Sequence, residues 1–129
     1  MIKENSKSKT ILICEDNHMN FFVLQKLIQN AYPEVKILHG IDGLEGVKLF
    51  ENYTIDVLIT DIEMPEMDGW ELIDDVRSKG YDMNKVVVVS AQSVEMLHPN
   101  AAKFGVKKCY SKPINPKAIE EIGEIINLA

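Results

Sequence analysis

Four short apolar runs in this chain each end on a side chain that carries chemistry, and nothing else restricts the fold so strongly. Ile11-Leu12-Ile13-Cys14 leads into Glu15 and Asp16, and Val57-Leu58-Ile59-Thr60 leads into Asp61. Val86-Val87-Val88-Val89 leads into Ser90, and Cys109-Tyr110-Ser111 leads into Lys112-Pro113. Runs this dense in β-branched residues read as fully buried parallel strands. An open α/β sheet binds its ligands just beyond the carboxyl ends of such strands. An acid pair, a lone aspartate, a serine and a lysine at four run ends therefore define one site.

Strand-like and helix-like patterns alternate five times. The first strand covers about 10–14, and the helix from about Met19 places Phe21, Leu24, Leu27, Ile28 and Ala31 on one face, with Pro33 beyond its end. Val35 to Leu38 reads as the second strand, and a helix from Gly43 turns Leu44, Val47 and Phe50 inward. The third strand runs up to Asp61, and Met64 to Gly69 is a loop marked by Pro65 and Asp68-Gly69. A third helix carries Leu72, Ile73 and Val76 and stops at Gly80. After the valine strand, Pro99 suits a first helical turn better than an interior, so a late or broken fourth helix is expected. Lys108 to Ser111 is the last strand, and the helix from Pro116 turns Ala118, Ile119, Ile122, Ile125 and Ile126 inward. Five βα units with short crossovers imply a parallel sheet with helices on both faces. The first and third strands must be neighbours if Asp16 and Asp61 share a ligand. A single domain is expected over 10–129, preceded by a flexible tail over 1–9.

A formal charge of −6 leaves no surplus of lysine and arginine for neutralising nucleic-acid phosphates, so no direct nucleic-acid binding is expected. No apolar run approaches the ~20 residues of a membrane span, and Met1 to Lys9 is too polar for a signal peptide. Cys14 and Cys109 both fall inside strands, which fits buried thiols in a reducing, cytoplasmic setting better than a disulfide.

The acids set the chemistry. Two unit charges about 4 Å apart repel by roughly 4 kcal/mol at an effective dielectric near 20. Gathering Glu15, Asp16 and Asp61 is costly unless a proton or a cation sits among them. Oxygen ligands of this kind suit a hard divalent ion, and Mg²⁺ fits best. Asp16 or Asn17 also suits a helix cap, whereas no helix immediately follows Asp61. A carboxylate can accept a phosphoryl group when a metal and a cation neutralise the incoming oxygens. Asp61 is the candidate nucleophile, Lys112 the point charge and Ser90 the hydroxyl donor. Taken singly, Ser90 reads as a turn residue and Lys112 as a solvated charge. His18, His39 and His98 lack metal-ligand spacing and read as surface or packing residues. Trp70, Met64 and Met67 read as packing near the third helix and its loop.

Glu15-Asp16-Asn17, the stretch Asp61-Ile62-Glu63-Met64-Pro65-Glu66-Met67-Asp68-Gly69, Ser90-Ala91 and Ser111-Lys112-Pro113 together resemble a two-component response-regulator receiver domain, over about Thr10 to Leu128. Twenty-nine positions separate Asp61 from Ser90 and 22 separate Ser90 from Lys112, as in that family. The resemblance implies a flavodoxin-like α/β fold, a doubly wound five-stranded parallel sheet of order 2-1-3-4-5 with five helices. It implies that Asp61 accepts phosphate from a histidine kinase or phosphotransfer protein and that the domain signals to a downstream protein partner. Catalysis would be limited to its own phosphorylation and dephosphorylation. It further implies Mg²⁺ on Asp16, Asp61 and the backbone carbonyl of Glu63, with Glu15 acting through water, and a cis Lys112-Pro113 bond. Glu63 and Gln92 occupy positions that the family uses to tune phosphate lifetime.

The chain departs from the family at Cys109, which stands where a switch aromatic is usual. Strand alternation puts the neighbouring Tyr110 on the opposite face. The expectation is that Ser90 still responds to the phosphoryl group, while the stretch from Gln92 to Pro99 moves in place of a ring. An aspartate-nucleophile phosphatase is the alternative enzyme class, but it resembles a second Asp two positions on, where this chain has Glu63. A flavin module would need a Ser/Thr/Gly-rich loop after the first strand, where this chain has acids. A degenerate receiver acting only as an interaction module sits poorly with an intact Asp61, Ser90 and Lys112.

Overall fold

A computed structural model describes residues 8–128. Most of the expected tail over 1–9 therefore lies outside the described residues, although the Lys9 carbonyl already accepts from the Lys36 amide at 2.8 Å. Strands β1 (Thr10–Cys14), β2 (Lys36–Gly40), β3 (Val57–Thr60), β4 (Val86–Ser90) and β5 (Lys108–Ser111) form one parallel sheet in the order β2-β1-β3-β4-β5. Helices α1 (His18–Ala31), α2 (Gly43–Asn52), α3 (Gly69–Ser78), α4 (Val94–Phe104) and α5 (Pro116–Leu128) provide the crossovers, with a 3₁₀ turn at Met83–Lys85 before β4. This is the doubly wound flavodoxin-like order, with its switch point between β1 and β3, where an open sheet leaves a crevice.

Alternation along the strands divides the core in two. Leu12, Cys14, Leu58, Val86 and Val88 face Leu72, Ile73 and Val76 of α3 and Leu97 and Ala101 of α4, with the half-buried Val47, Leu49 and Phe50 of α2 against them. Ile11, Ile13, Val57, Ile59, Val87 and Val89 face Leu24 and Ile28 of α1 and the four isoleucines of α5. Full burial of each such side chain stabilises by about 1.5–3 kcal/mol. The strands are therefore fixed by their own composition, and their carboxyl ends are held in line.

Helix caps define where the site's loops begin. Asn17, Asp42, Asp68 and Ser93 each accept from a backbone N–H in the first turn of the helix they precede. Asp68 and Glu71 complete a reciprocal capping box on α3. Trp70 stacks on Phe104 with ring centroids 5.9 Å apart, and Met64 is buried in the loop before α3.

The structure differs from the sequence reading in four places. β2 runs to Gly40 rather than Leu38, because its pairing with β1 carries on to Cys14 opposite Gly40. In α1, Leu27 and Ala31 are exposed, and Leu24 and Ile28 carry the packing. In α2, Leu44 is exposed, while Gly43 and Gly46 are buried. A Cβ on Gly46 would lie 2.8 Å from Cys14 Sγ, so this helix lies close on its glycine face and turns Leu44 outward. Finally, α4 starts late, after its Ser93 cap, but it is unbroken, with Pro99 inside it. An interior proline removes one helical hydrogen bond. Here Glu95 and Pro99 are both exposed, so the freed carbonyl faces water, while Leu97 and Ala101 anchor the buried side.

Candidate functional site

The carboxyl ends of β1, β3, β4 and β5 bring the predicted side chains together. Glu15 and Asp16 leave β1, where the Glu15 amide donates to the Gly40 carbonyl at 2.9 Å. Asp61 leaves β3, its amide donating to the Cys14 carbonyl at 2.9 Å. Close packing fixes this turn, since a Cβ on Gly69 would overlap the Asp61 carbonyl oxygen. One carboxylate oxygen from each of Glu15, Asp16 and Asp61 lies within 4.8 Å of the others. Glu15 and Asp61 are buried and Asp16 is exposed, so the cluster opens to water on the Asp16 side.

Lys112 bridges the two buried acids. Its Nζ donates to Glu15 Oε1 at 2.7 Å and to Asp61 Oδ2 at 2.9 Å. Asp61 Oδ1 also accepts from the Ile62 amide at 2.6 Å, and Glu15 Oε2 accepts from the Asn17 amide at 3.1 Å. Asp16 has no such partner among the described residues. Burial pushes the Glu15 carboxyl above the ordinary range, and the Asp61 charge adds to this against the pull of Lys112 and the Asn17 amide. For Lys112, burial works downward, but hydrogen bonds and charge from Glu15 and Asp61 outweigh it and hold the ammonium above its usual value. Three carboxylates against one ammonium leave a negative pocket, and oxygen donors this close suit a hard divalent cation.

Apart from Lys112, which leaves β5, the β4 and β5 ends are built from neutral groups. Ser90 is fully buried at the end of β4, paired in register with Ser111. Ser90 Oγ accepts from the Gln92 amide at 3.1 Å, leaving the hydroxyl's own proton to donate elsewhere. Gln92 Nε2 reaches Glu63 Oε2 at 3.4 Å, joining the β4–α4 and β3–α3 loops through exposed side chains. The Lys112-Pro113 bond is cis, as the resemblance implied, and the Lys112 amide donates to the Ser90 carbonyl at 2.7 Å. Cys109 packs against the α3 and α4 side of the sheet. Tyr110 packs on the α1 and α5 side, where its hydroxyl donates to Glu121.

Two partners were not legible in the sequence. Ser111 Oγ donates to the Gln92 carbonyl at 3.0 Å. His39 stacks on Phe21 at 3.7 Å between centroids, and its Nε2 lies 2.7 Å from the Glu15 carbonyl oxygen. Both contacts cross between elements, and no spacing rule within one element reveals them. Beside the acids, a groove of about 410 Å³ is lined by Val23, Leu24, Leu27 and Ile114 together with Glu15 and Lys112.

Comparison with known proteins agrees with this geometry. The family described as the response regulator receiver domain matches residues 11–124. Among curated relatives, hybrid signal transduction histidine kinase D of Dictyostelium discoideum is 30% identical over 98% of this chain and 8% of its own length. The probable C4-dicarboxylate response regulator DctR of Priestia megaterium is 29% identical over 84% of the chain and 47% of its own length. The chain thus spans less than half of either relative. Among solved structures, the N-terminal domain of an uncharacterized Wolinella succinogenes protein has a TM-score of 0.81 at 34% identity, covering 94% of this chain and 95% of that one. The Thermotoga maritima response regulator TrrA, solved with Mg²⁺ and BeF, has a TM-score of 0.79 at 24% identity, covering 91% and 98%. The receiver domain of Ssk1 from Saccharomyces cerevisiae, solved with the phosphotransfer protein Ypd1, has a TM-score of 0.75 at 22% identity, covering 94% and 90%. At those last two identities the likeness is one of fold. Among the described residues no helix is long and apolar enough to cross a membrane.

Proposed function

The chain belongs to the response regulator receiver family, the receiving half of a two-component phosphorelay, and we propose on that premise that Asp61 is its phosphoryl acceptor. One observation carries the assignment: Asp61 Oδ2 lies 2.9 Å from an ammonium that also holds Glu15, inside a three-carboxylate cluster. An Asp61 oxygen forms the new bond to phosphorus as the donor's bond to phosphorus breaks, and the donor group leaves with the electron pair of that bond. Lys112 neutralises phosphoryl charge as a point cation, and Ser90, its proton free, donates to a phosphoryl oxygen. Asp16, Asp61 and the Glu63 carbonyl would hold Mg²⁺, with Glu15 acting through water as the family resemblance implies. The exposed Asp16 carboxylate, which has no partner among the described residues, gives the ion its open ligand. When bound, the ion offsets the charge of the acids and of the incoming group.

The phosphodonor is a histidine kinase or phosphotransfer protein. The groove lined by Val23, Leu27 and Ile114 supports a protein donor, since it places an apolar footing against Glu15 and Lys112. Its α1 wall exposes 49% of Val23 and 38% of Leu27, which burial against a partner would cover. The signal then passes to a downstream protein by contact, in the cytoplasm. Incubation with acetyl phosphate and Mg²⁺ followed by intact-mass analysis is the test. One base-labile phosphoryl group is expected on the wild type and none on Asp61→Asn. An equal yield in Asp61→Asn places the acceptor elsewhere.

A further inference from the structure

Gln92, two residues past the end of β4, is tied at three points. Its amide donates to Ser90 Oγ at 3.1 Å, its side chain reaches Glu63 at 3.4 Å, and its carbonyl accepts from Ser111 Oγ at 3.0 Å. The third tie differs from the first, which also ends on the sheet, because Ser111 lies one strand further from Asp61, on β5. It pairs with Ser90 across β4 and β5, and the next residue's amide fixes the strand end on the Ser90 carbonyl at 2.7 Å. Ser111 is therefore a fixed post, and Gln92 is the part that can move.

The neighbours of Ser111 on β5 leave this role open. Cys109 is a thiol packed on the α3 and α4 side, with no ring to swing. Tyr110 has a ring, but it lies on the other face with its hydroxyl on Glu121. Ser90 Oγ cannot turn toward a phosphoryl oxygen on Asp61 and keep the Gln92 amide unless Gln92 follows. If Gln92 follows, its carbonyl must leave Ser111. If it stays, its amide loses an acceptor. Either way the Ser111 hydroxyl opposes the shift.

We propose that Ser111 is a positioning residue, a latch that holds the β4–α4 loop through the Gln92 carbonyl and sets how readily Ser90 and its loop close on a phosphoryl group at Asp61. The effect acts through Gln92 and Ser90, since nothing places Ser111 against the reacting atoms. Removing the latch hydroxyl removes one net hydrogen bond from the open arrangement only. Closure then becomes easier by about fivefold, which is ~1 kcal/mol at 1.4 kcal/mol per tenfold. A serine that merely stabilised the fold would have the opposite signature, with its loss leaving phosphoryl binding unchanged or weaker.

This rests on the acceptor reading of Asp61, so the test has one arm that uses a phosphoryl mimic and one that does not. The full chain and its Ser111→Ala and Ser111→Thr variants are titrated with beryllofluoride in saturating Mg²⁺. Trp70, the only tryptophan, stands next to the loop that follows Asp61 and supplies the signal. Amide hydrogen exchange over 91–97 is measured separately without ligand. In Ser111→Ala, faster exchange over that segment and beryllofluoride affinity about fivefold tighter are expected, with Ser111→Thr near wild type in both because it keeps the hydroxyl. Unchanged exchange, unchanged or weaker affinity in Ser111→Ala, or a Ser111→Thr that behaves like Ser111→Ala overturns the latch. A wild type that binds no beryllofluoride fails the acceptor reading, and the ligand-free exchange still decides whether Ser111 holds the loop.

Discussion

The two halves of the sheet's carboxyl edge are built on different physics. At the ends of β1 and β3, buried Glu15 and Asp61 face one ammonium, and repulsion between the acids is held in check by ion pairing. At the ends of β4 and β5, Ser90, Gln92 and Ser111 form a chain of neutral hydrogen bonds. A net neutral hydrogen bond contributes about 1 kcal/mol, whereas breaking a buried ion pair costs about 3–5 kcal/mol. The first half therefore responds strongly to any added charge, while the second is held weakly enough to be rearranged by that response. Chemistry and readout occupy adjoining pairs of strands in one sheet, and the energy difference gives the coupling its direction.

Removing the cation should break the comparison most visibly. In the metal-free protein at pH 7, Lys112→Met should cost on the order of 2–3 kcal/mol, below the full buried-pair range because 21% of the Lys112 side chain remains in water. Ser90→Ala, which removes only a neutral acceptor, should cost about 1 kcal/mol. Urea unfolding of both variants measures the two losses. Equal losses would mean that the acidic half is no more strained than the neutral one.

Metal should act on one half alone. Mg²⁺ at 100 times its dissociation constant should stabilise the wild type by about 2.7 kcal/mol, and Asp16→Asn should remove most of that response. Because Asp16 is exposed and lacks a side-chain partner among the described residues, the same variant should leave the metal-free Tm unchanged or slightly raised. Ser90→Ala and Ser111→Ala should keep the full Mg²⁺ response. Thermal unfolding with and without Mg²⁺ separates the cases, and a response that survives intact in Asp16→Asn puts the ion somewhere else.

The asymmetry also explains what the sequence could disclose. Glu15, Asp16, Asp61 and Lys112 were legible because each directly follows an apolar run, and parallel strands bring such residues to a single edge. The sheet order could be expected from the need to seat Asp16 beside Asp61 and from the family resemblance. The Ser111 contact with Gln92 was not legible, because it depends on the β4–β5 register and on the path of a three-residue loop. Leu27 and Leu44 misled for a different reason. Helical periodicity locates an apolar stripe but does not fix its rotation, which Gly43 and Gly46 set in α2 by close approach to Cys14 and Met67. Pro99 misled because local preference argues against it inside a helix, while tertiary anchoring by Leu97 and Ala101 decides.

The smallest expected effect is in pH, and it sharpens the comparison by its sign. Burial holds the Glu15 carboxyl above the ordinary glutamate value in the folded state. A raised folded value means that this group's contribution is fully present below the unfolded value, near 4.3, and is lost as pH rises through the folded one. Metal-free wild type should therefore lose stability relative to Glu15→Gln as pH rises above about 4.3. That slope is opposite to the one expected of a carboxylate stabilised by a salt bridge alone. Saturating Mg²⁺ should flatten the difference, because a bound cation favours the ionised acid. Ser111→Ala, which carries no titrating group, should run parallel to wild type across the same range. Urea unfolding at several pH values gives the three curves. If wild type instead gains on Glu15→Gln as pH rises, ion pairing with Lys112 outweighs burial, and the acidic half of the edge is relaxed even without metal.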